Sequence, residues 1–208
     1  MNISWFGQSF FKIEAKNPLH QEVIILIDPY ADQKGAVPRN LKADLVLLGQ
    51  GSAKTIALSG APVVISSPGE YEIKGVMIYA QSLKNSLVWQ IEVESISLAH
   101  LGRLTGAPGK EAAEELADKL GLIDALMVPV GGHDVLDSQA AAALVNQLEP
   151  RLVIPMCFNP PNGKENYEPV DKFLKLLGQK DQERLPKLKL AKKDLPREET
   201  RVALLEKT

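Results

Sequence analysis

Few side chains in this sequence could carry chemistry at neutral pH. There are three histidines, His20, His100 and His133, and a single cysteine, Cys157. His133 follows Gly131-Gly132 and is followed directly by Asp134. An imidazole beside a carboxylate can serve as a general base and the group that orients it. His20 sits in a polar stretch ahead of an apolar run and reads as a surface residue. His100 closes an apolar segment, where a structural hydrogen-bonding role is the commoner one. Cys157 could act as a nucleophile if a base activated it, yet a lone cysteine is more often an inert, small apolar residue. Ser9, in Gly7-Gln8-Ser9-Phe10, lacks the surrounding G-x-S-x-G elbow. Ser67-Pro68-Gly69-Glu70 reads as a structural turn in which Gly69 allows a tight backbone, and only superficially as a phosphate loop.

The elements that must position these residues change rhythm halfway along the chain. Ile3 to Phe6 and Phe10 to Glu14 predict a hairpin around Gly7-Gln8-Ser9. Val23 to Ile27, ending at Asp28-Pro29, is an unbroken apolar run that suits a strand covered on both faces. Leu45 to Leu48, Pro62 to Ile65, Gly75 to Tyr79, Leu87 to Val93 and Ile96 to Leu101 continue the strand pattern. Lys110 to Leu120 then carries apolar residues at helical spacing, with Gly121 as its stop. Ala125 to Val130 and Leu152 to Pro155 read as strands. A helix capped by Asp137 runs through Ala140 to Leu148 and is closed by Pro150. A third helix is expected over Glu168 to Leu177, then closing strands over Lys187 to Leu190 and Arg201 to Leu205. Asn159-Pro160-Pro161-Asn162-Gly163 is a surface loop by its turn chemistry. The Lys/Glu-rich stretch from Gln179 onward reads as a solvated face.

Composition excludes several classes. A chain of 208 residues that is 45% hydrophobic and 24% charged can bury a full core, and a single domain over 1–208 is expected. A formal net charge of −2 gives no electrostatic reason to expect a nucleic-acid or anionic-membrane partner. One cysteine permits no intrachain disulfide. The first residues show no secretory leader pattern, and no apolar run reaches bilayer length. A soluble cytoplasmic protein is the expectation.

Several segments together resemble the metallo-β-lactamase superfamily, in the branch of predicted Zn-dependent hydrolases related to ascorbate-6-phosphate lactonase. They are residues 3–13 (ISWFGQSFFKI), 25–29 (ILIDP), 42–47 (KADLVL), 67–72 (SPGEYE), 99–102 (AHLG), 128–132 (VPVGG) and 153–156 (VIPM). They stand in the family's order over nearly the whole chain. The resemblance implies an α+β fold, a four-layer αββα sandwich. It also implies a zinc site built from a His-x-His-x-Asp-His motif just after the strand at Leu45 to Leu48. Zinc takes imidazoles and carboxylates at close range and lowers the pKa of a bound water.

Mapped onto that motif, this chain has Gln50, Ser52 and Thr55 at the histidine positions and Lys54 at the aspartate. The further histidine expected between the next two strands is missing from Gln81-Ser82-Leu83-Lys84-Asn85-Ser86. Arg103 stands for the bridging aspartate after His100-Leu101-Gly102, and Cys157 for the last histidine after Pro155-Met156. Two unit charges about 4 Å apart interact by roughly 4 kcal/mol at an effective dielectric near 20, and a dication facing one lysine by about twice that. The expectation is therefore a pseudoenzyme with no zinc or other cofactor, acting as a ligand- or partner-binding domain. The rival expectation is a hydrolase with a rebuilt site, either Cys157 activated by His133 and Asp134 or an atypical metal site at His100, His133 and Cys157. The mapping also brings Lys54 and Arg103 to one cleft. Either Asp28 or Asp134 pairs with them internally, which is the simpler outcome, or they bind a small anion such as a phosphate or carboxylate. A second copy of the chain is the other candidate partner.

Overall fold

The computed structural model describes residues 1–31, 40–50, 54–84, 86–161, 163, 165–179 and 182–208. Ser52, Asn85 and Asn162, named above, lie outside the described residues. Two mixed sheets form the body. The first contains β1 (Asn2–Trp5), β2 (Phe11–Lys16), β3 (Glu22–Ile27), β4 (Leu45–Leu47) and β5 (Val63–Ile65). The second contains β6 (Gly69–Ile73), β7 (Val76–Leu83), β8 (Ser86–Val93), β9 (Ile96–His100), β10 (Ala125–Pro129) and β11 (Leu152–Met156). Each sheet is completed by a short strand from the end of the chain, β12 (Leu188–Lys189) beside β1 and β13 (Arg201–Val202) beside β11. The orders are β12-β1-β2-β3-β4-β5 and β13-β11-β10-β9-β8-β7-β6. This is the α+β sandwich read from the sequence.

In each sheet, antiparallel hairpins give way to parallel strands. β3 pairs with β4 and β4 with β5 in parallel, as do β9 with β10 and β10 with β11. Parallel neighbours need crossovers, and α1 (Lys110–Leu120) and α2 (Ser138–Leu148) supply them in the second sheet. α1 buries Ala113, Leu116 and Leu120 on one face and stops at Gly121, whose φ is +56°. Asp137 caps α2 by accepting the Ala140 N–H at 2.8 Å. The main core runs from Ile3, Trp5 and Phe11 through Trp89 and Leu98 to Phe173, all buried. A smaller cluster of Phe6, Phe10, Leu26, Tyr30, Ala43, Val46 and Leu48 lies apart from it. Among the described residues no helix is long and apolar enough to cross a membrane.

Three expectations need correction. α3 spans Asp171–Leu176 and does not begin at Glu168. The Glu168 N–H donates to the Gly131 carbonyl and its carbonyl accepts from Asn159, so a loop contact holds that backbone before a helix can start. The turn at Ser67-Pro68 ends earlier than expected: Gly69 already opens β6, at φ +151°. The stretch from Gln179 onward is only partly solvated. Leu188, Leu190, Leu195 and Val202 to Leu205 are buried, and Lys192 pairs with buried Asp124 at 2.6 Å. Its charged residues alternate with these apolar ones, so a stretch rich in Lys and Glu still carries the two closing strands expected there.

The loop after β10 must pass very close to the end of β11. A Cβ on Gly131 would stand 2.0 Å from the Cys157 carbonyl oxygen and 2.7 Å from the Tyr167 Cβ. Backbone cannot yield as a side chain can, so Gly131→Ala should cost about 3 kcal/mol or more. Urea denaturation measures this, and an unchanged midpoint would show that the approach is not tight.

Candidate active-site cleft

The parallel strands of both sheets bring the candidate residues to one end of the sandwich. Asp28 follows β3, Gly49 and Gln50 follow β4, Arg103 follows β9, His133 and Asp134 follow β10, and Cys157 follows β11. The β1–β2 turn adds Gln8 and Ser9. Ligand crevices form at the carboxyl ends of parallel strands. Here a cleft of about 440 Å³ is lined by Gln8, Tyr30, Gln50, Arg103, Asp134 and Tyr167, with Thr105, His133, Glu165 and Asn166 completing it.

Its floor is built from buried polar groups with partners. Asp28 is fully buried at φ +52°. Its carboxylate accepts the Gly49 N–H at 2.7 Å and is hydrogen-bonded by the side chains of Ser9 and Tyr30. Burial raises its pKa from 3.8 to about 6, although these bonds and the Arg103 charge pull the other way. The Tyr30 hydroxyl also accepts the Gln50 N–H at 2.7 Å. His100 is buried as well. The Gly102 N–H donates to its Nδ1 at 3.1 Å, so Nε2 carries the proton and donates to the Ser9 carbonyl at 3.0 Å. Burial pushes its imidazole down to about 4, so it is neutral and structural.

Arg103 crosses the cleft. Nη1 donates to Gln8 Oε1 at 2.7 Å, and Nη2 to Asp134 Oδ2. The guanidinium lies 5.9 Å from the centre of the Tyr167 ring and is hydrogen-bonded to the Tyr167 side chain. The Gln8 backbone carbonyl in turn accepts the Trp5 indole N–H at 2.8 Å and the Cys157 N–H at 3.2 Å.

The structure brings together only part of the set read from the sequence. Asp134 pairs with Arg103, one of the two internal partners expected. Lys54 is exposed and does not line the cleft, so the Lys54–Arg103 pair does not form there. Thr55 is half-buried and bridges Tyr30 through its backbone. Cys157 does not sit at the rim. It is fully buried at φ +52°, and burial pushes its thiol well above the usual range. His133 is exposed at φ +62°, with Nδ1 3.9 Å from Asp134 Oδ1. Sequence reading missed Gln8, Tyr30, Thr105, Glu165, Asn166 and Tyr167. The rule of the strand end could have found the last three, since residues 157–168 follow β11.

Residues 2–157 match the family described as the beta-lactamase superfamily domain. The chain belongs to the metallo-β-lactamase superfamily. A UPF0173 metal-dependent hydrolase of Thermococcus onnurineus is 30% identical over 198 residues, covering 75% of this chain and 85% of that protein. Another of that name from Pyrococcus horikoshii is 28% identical, covering 86% and 93%. A solved Thermotoga maritima protein, provisionally named a Zn-dependent hydrolase of this superfamily, is 31% identical. It superposes with a TM-score of 0.80 over 99% of this chain and 100% of its own. The Bacillus subtilis metallo-β-lactamase fold protein YhfI shares the fold alone, at a TM-score of 0.59 and 8% identity.

Relatives named for a metal invite a test of fit. Zinc needs several deprotonated N, O or S donors around one point. The described residues that the resemblance would put at the ligand positions are Gln50, Lys54, Thr55, Arg103 and Cys157. One of these is a guanidinium, one an ammonium turned to solvent, and one a thiol held protonated by burial. Among the described residues no three His, Cys, Asp or Glu side chains gather into a metal-sized group. The described cleft residues do not fit a dication.

The pKa of Asp28 makes a pH prediction. A carboxyl whose pKa is raised on folding contributes stability that is fully present below the unfolded value, near 3.8. That contribution is lost as pH rises through the folded value, near 6. Relative to Asp28→Asn, the native chain should lose up to about 3 kcal/mol between those limits. Parallel denaturation of both proteins from pH 4 to 7 measures it, and a difference independent of pH would show that Asp28 is already ionised at acid pH.

Proposed function

We propose that residues 1–208 form one metallo-β-lactamase-like domain that no longer uses the superfamily's metal and works by binding a ligand in the cleft. Arg103 carries this reading. A guanidinium stands where the resemblance puts a bridging carboxylate, and it is held there by Gln8, Asp134 and Tyr167. A cation fixed at that point repels a dication and removes a ligand in the same step. The family mapping of Gln50, Ser52, Lys54, Thr55 and Cys157 adds support. A cytoplasmic location is part of the proposal, in keeping with a single unpaired cysteine.

The hydrolase with a rebuilt site is not favoured. A nucleophilic cysteine needs an accessible thiolate, whereas Cys157 is buried with its thiol shifted upward. The names of the relatives argue for metal use in those proteins, and the experiment must therefore look for metal directly. After growth with added zinc, manganese and iron, elemental analysis should find substoichiometric metal. About one tightly held ion per chain, lost on mutating Cys157 or His133, would refute the reading. Independently, Cys157 should react with a thiol reagent at neutral pH only slowly in the native protein and at the free-cysteine rate in denaturant. Rapid native labelling with a midpoint below the usual thiol range would instead favour the Cys157–His133 hydrolase.

A further inference from the structure

The charges around the cleft are matched within the protein. Arg103 meets Asp134, the Gln8 amide and Tyr167. Glu165, buried at the cleft wall, meets Lys207 at 2.5 Å. Lys54 is exposed and does not line the cleft. An incoming phosphate or carboxylate would have to displace Asp134 from Arg103 before gaining a cation. The cleft therefore suits a ligand without net charge.

What remains on its walls is carboxamide, carboxylate edge and aromatic ring. Arg103 takes Gln8 Oε1, which directs the two Nε2 N–H groups away from the guanidinium. Gln50 and Asn166 are exposed on the rim, and their side-chain amides make no hydrogen bond among the described residues. Asp134 is half exposed and gives Oδ2 to Arg103, leaving Oδ1 near His133 at 3.9 Å. Each amide or carboxylate presents two polar atoms in one plane, which matches two adjacent hydroxyls that both donate and accept. The Tyr167 ring offers an apolar surface against which C–H groups can pack. A volume of about 440 Å³ has room for one or two sugar rings.

We propose that the cleft binds a neutral polyhydroxylated ligand, a mono- or disaccharide or a related polyol, through Gln8, Gln50, Asn166 and Asp134 with Tyr167 against the ring. The proposal rests on the reading of the cleft as a binding site without metal. The test uses thermal shift and calorimetry on the intact chain, in a preparation whose metal content has been measured. The neutral probes are D-glucose, D-galactose, D-ribose, maltose and myo-inositol at millimolar concentration. The anionic probes are glucose 6-phosphate, galacturonate and inorganic phosphate. At least one neutral probe should raise Tm saturably by about 2 °C or more, equally at low and high salt. The double variant Gln50→Ala/Asn166→Ala, at two exposed positions that the fold does not need, should weaken that binding about tenfold or more. Shifts from the anionic probes alone, fading with salt, would overturn the proposal in favour of an anion site. Silence from every neutral probe, or a neutral shift indifferent to the double variant, would overturn it while leaving the metal-free reading intact. Stoichiometric metal in the same preparation would overturn the reading beneath it.

Discussion

The cleft depends on one cation that cannot move and cannot be discharged. Arg103 leaves the end of a strand in the second sheet and reaches the hairpin turn of the first through Gln8, and the loop after β10 through Asp134. Its side chain is 15% exposed, so the Gln8 bond sits largely away from solvent. The Asp134 carboxylate is 49% exposed, and its Coulomb energy is screened. The value of Arg103 thus lies less in one ion pair than in geometry. A planar fork can hold three partners in fixed directions, and here those partners come from three separated stretches of chain. Gln8 passes the constraint on, because its carbonyl also receives Trp5 Nε1 and the Cys157 N–H.

The rest of the floor is made of polar groups for which burial disfavours the charged form. His100 is neutral, with both ring nitrogens committed to backbone. Asp28 keeps its proton up to about pH 6 although four groups favour its anion, because desolvation outweighs them. Cys157 is held as a thiol. Groups that could ligate a metal or move a proton are present here, but each is already bound to the scaffold or sealed beneath it. Such a floor serves as a rigid surface better than as a reagent.

Much of the fold was legible because its elements are locally decided. Val23 to Ile27 is apolar at every position and becomes a buried central strand. α1 begins and ends where Ala113, Leu116, Leu120 and Gly121 require. Where the sequence misled, a distant contact had intervened. Glu168 has ordinary helical preference, yet its backbone is engaged by Gly131 and Asn159. The closing strands expected over Lys187 to Leu190 and Arg201 to Leu205 do form, shortened to the residues that β1 and β11 can pair.

The cleft divides in the same way. The resemblance implied that Arg103 would share a cleft with Asp28 or Asp134, and strand order is the physical reason, because it fixes which loops meet. The direction of a side chain within a loop is set by single dihedral angles, which no motif spacing records. Cys157, at φ +52°, turns into the core and not toward the rim. Lys54 is four residues from Gln50 and still faces solvent. The partners that hold Arg103 in place were the least legible. Gln8 is 95 positions away and Tyr167 is 64 positions away in the opposite direction. Neither belongs to a pattern with Arg103 until the two sheets have stacked. The charge of the cleft therefore follows from packing rather than from composition. Two cations mapped to one cleft kept an anion site open as the second outcome, whereas the partners of Arg103 favour the internal pairing with Asp134.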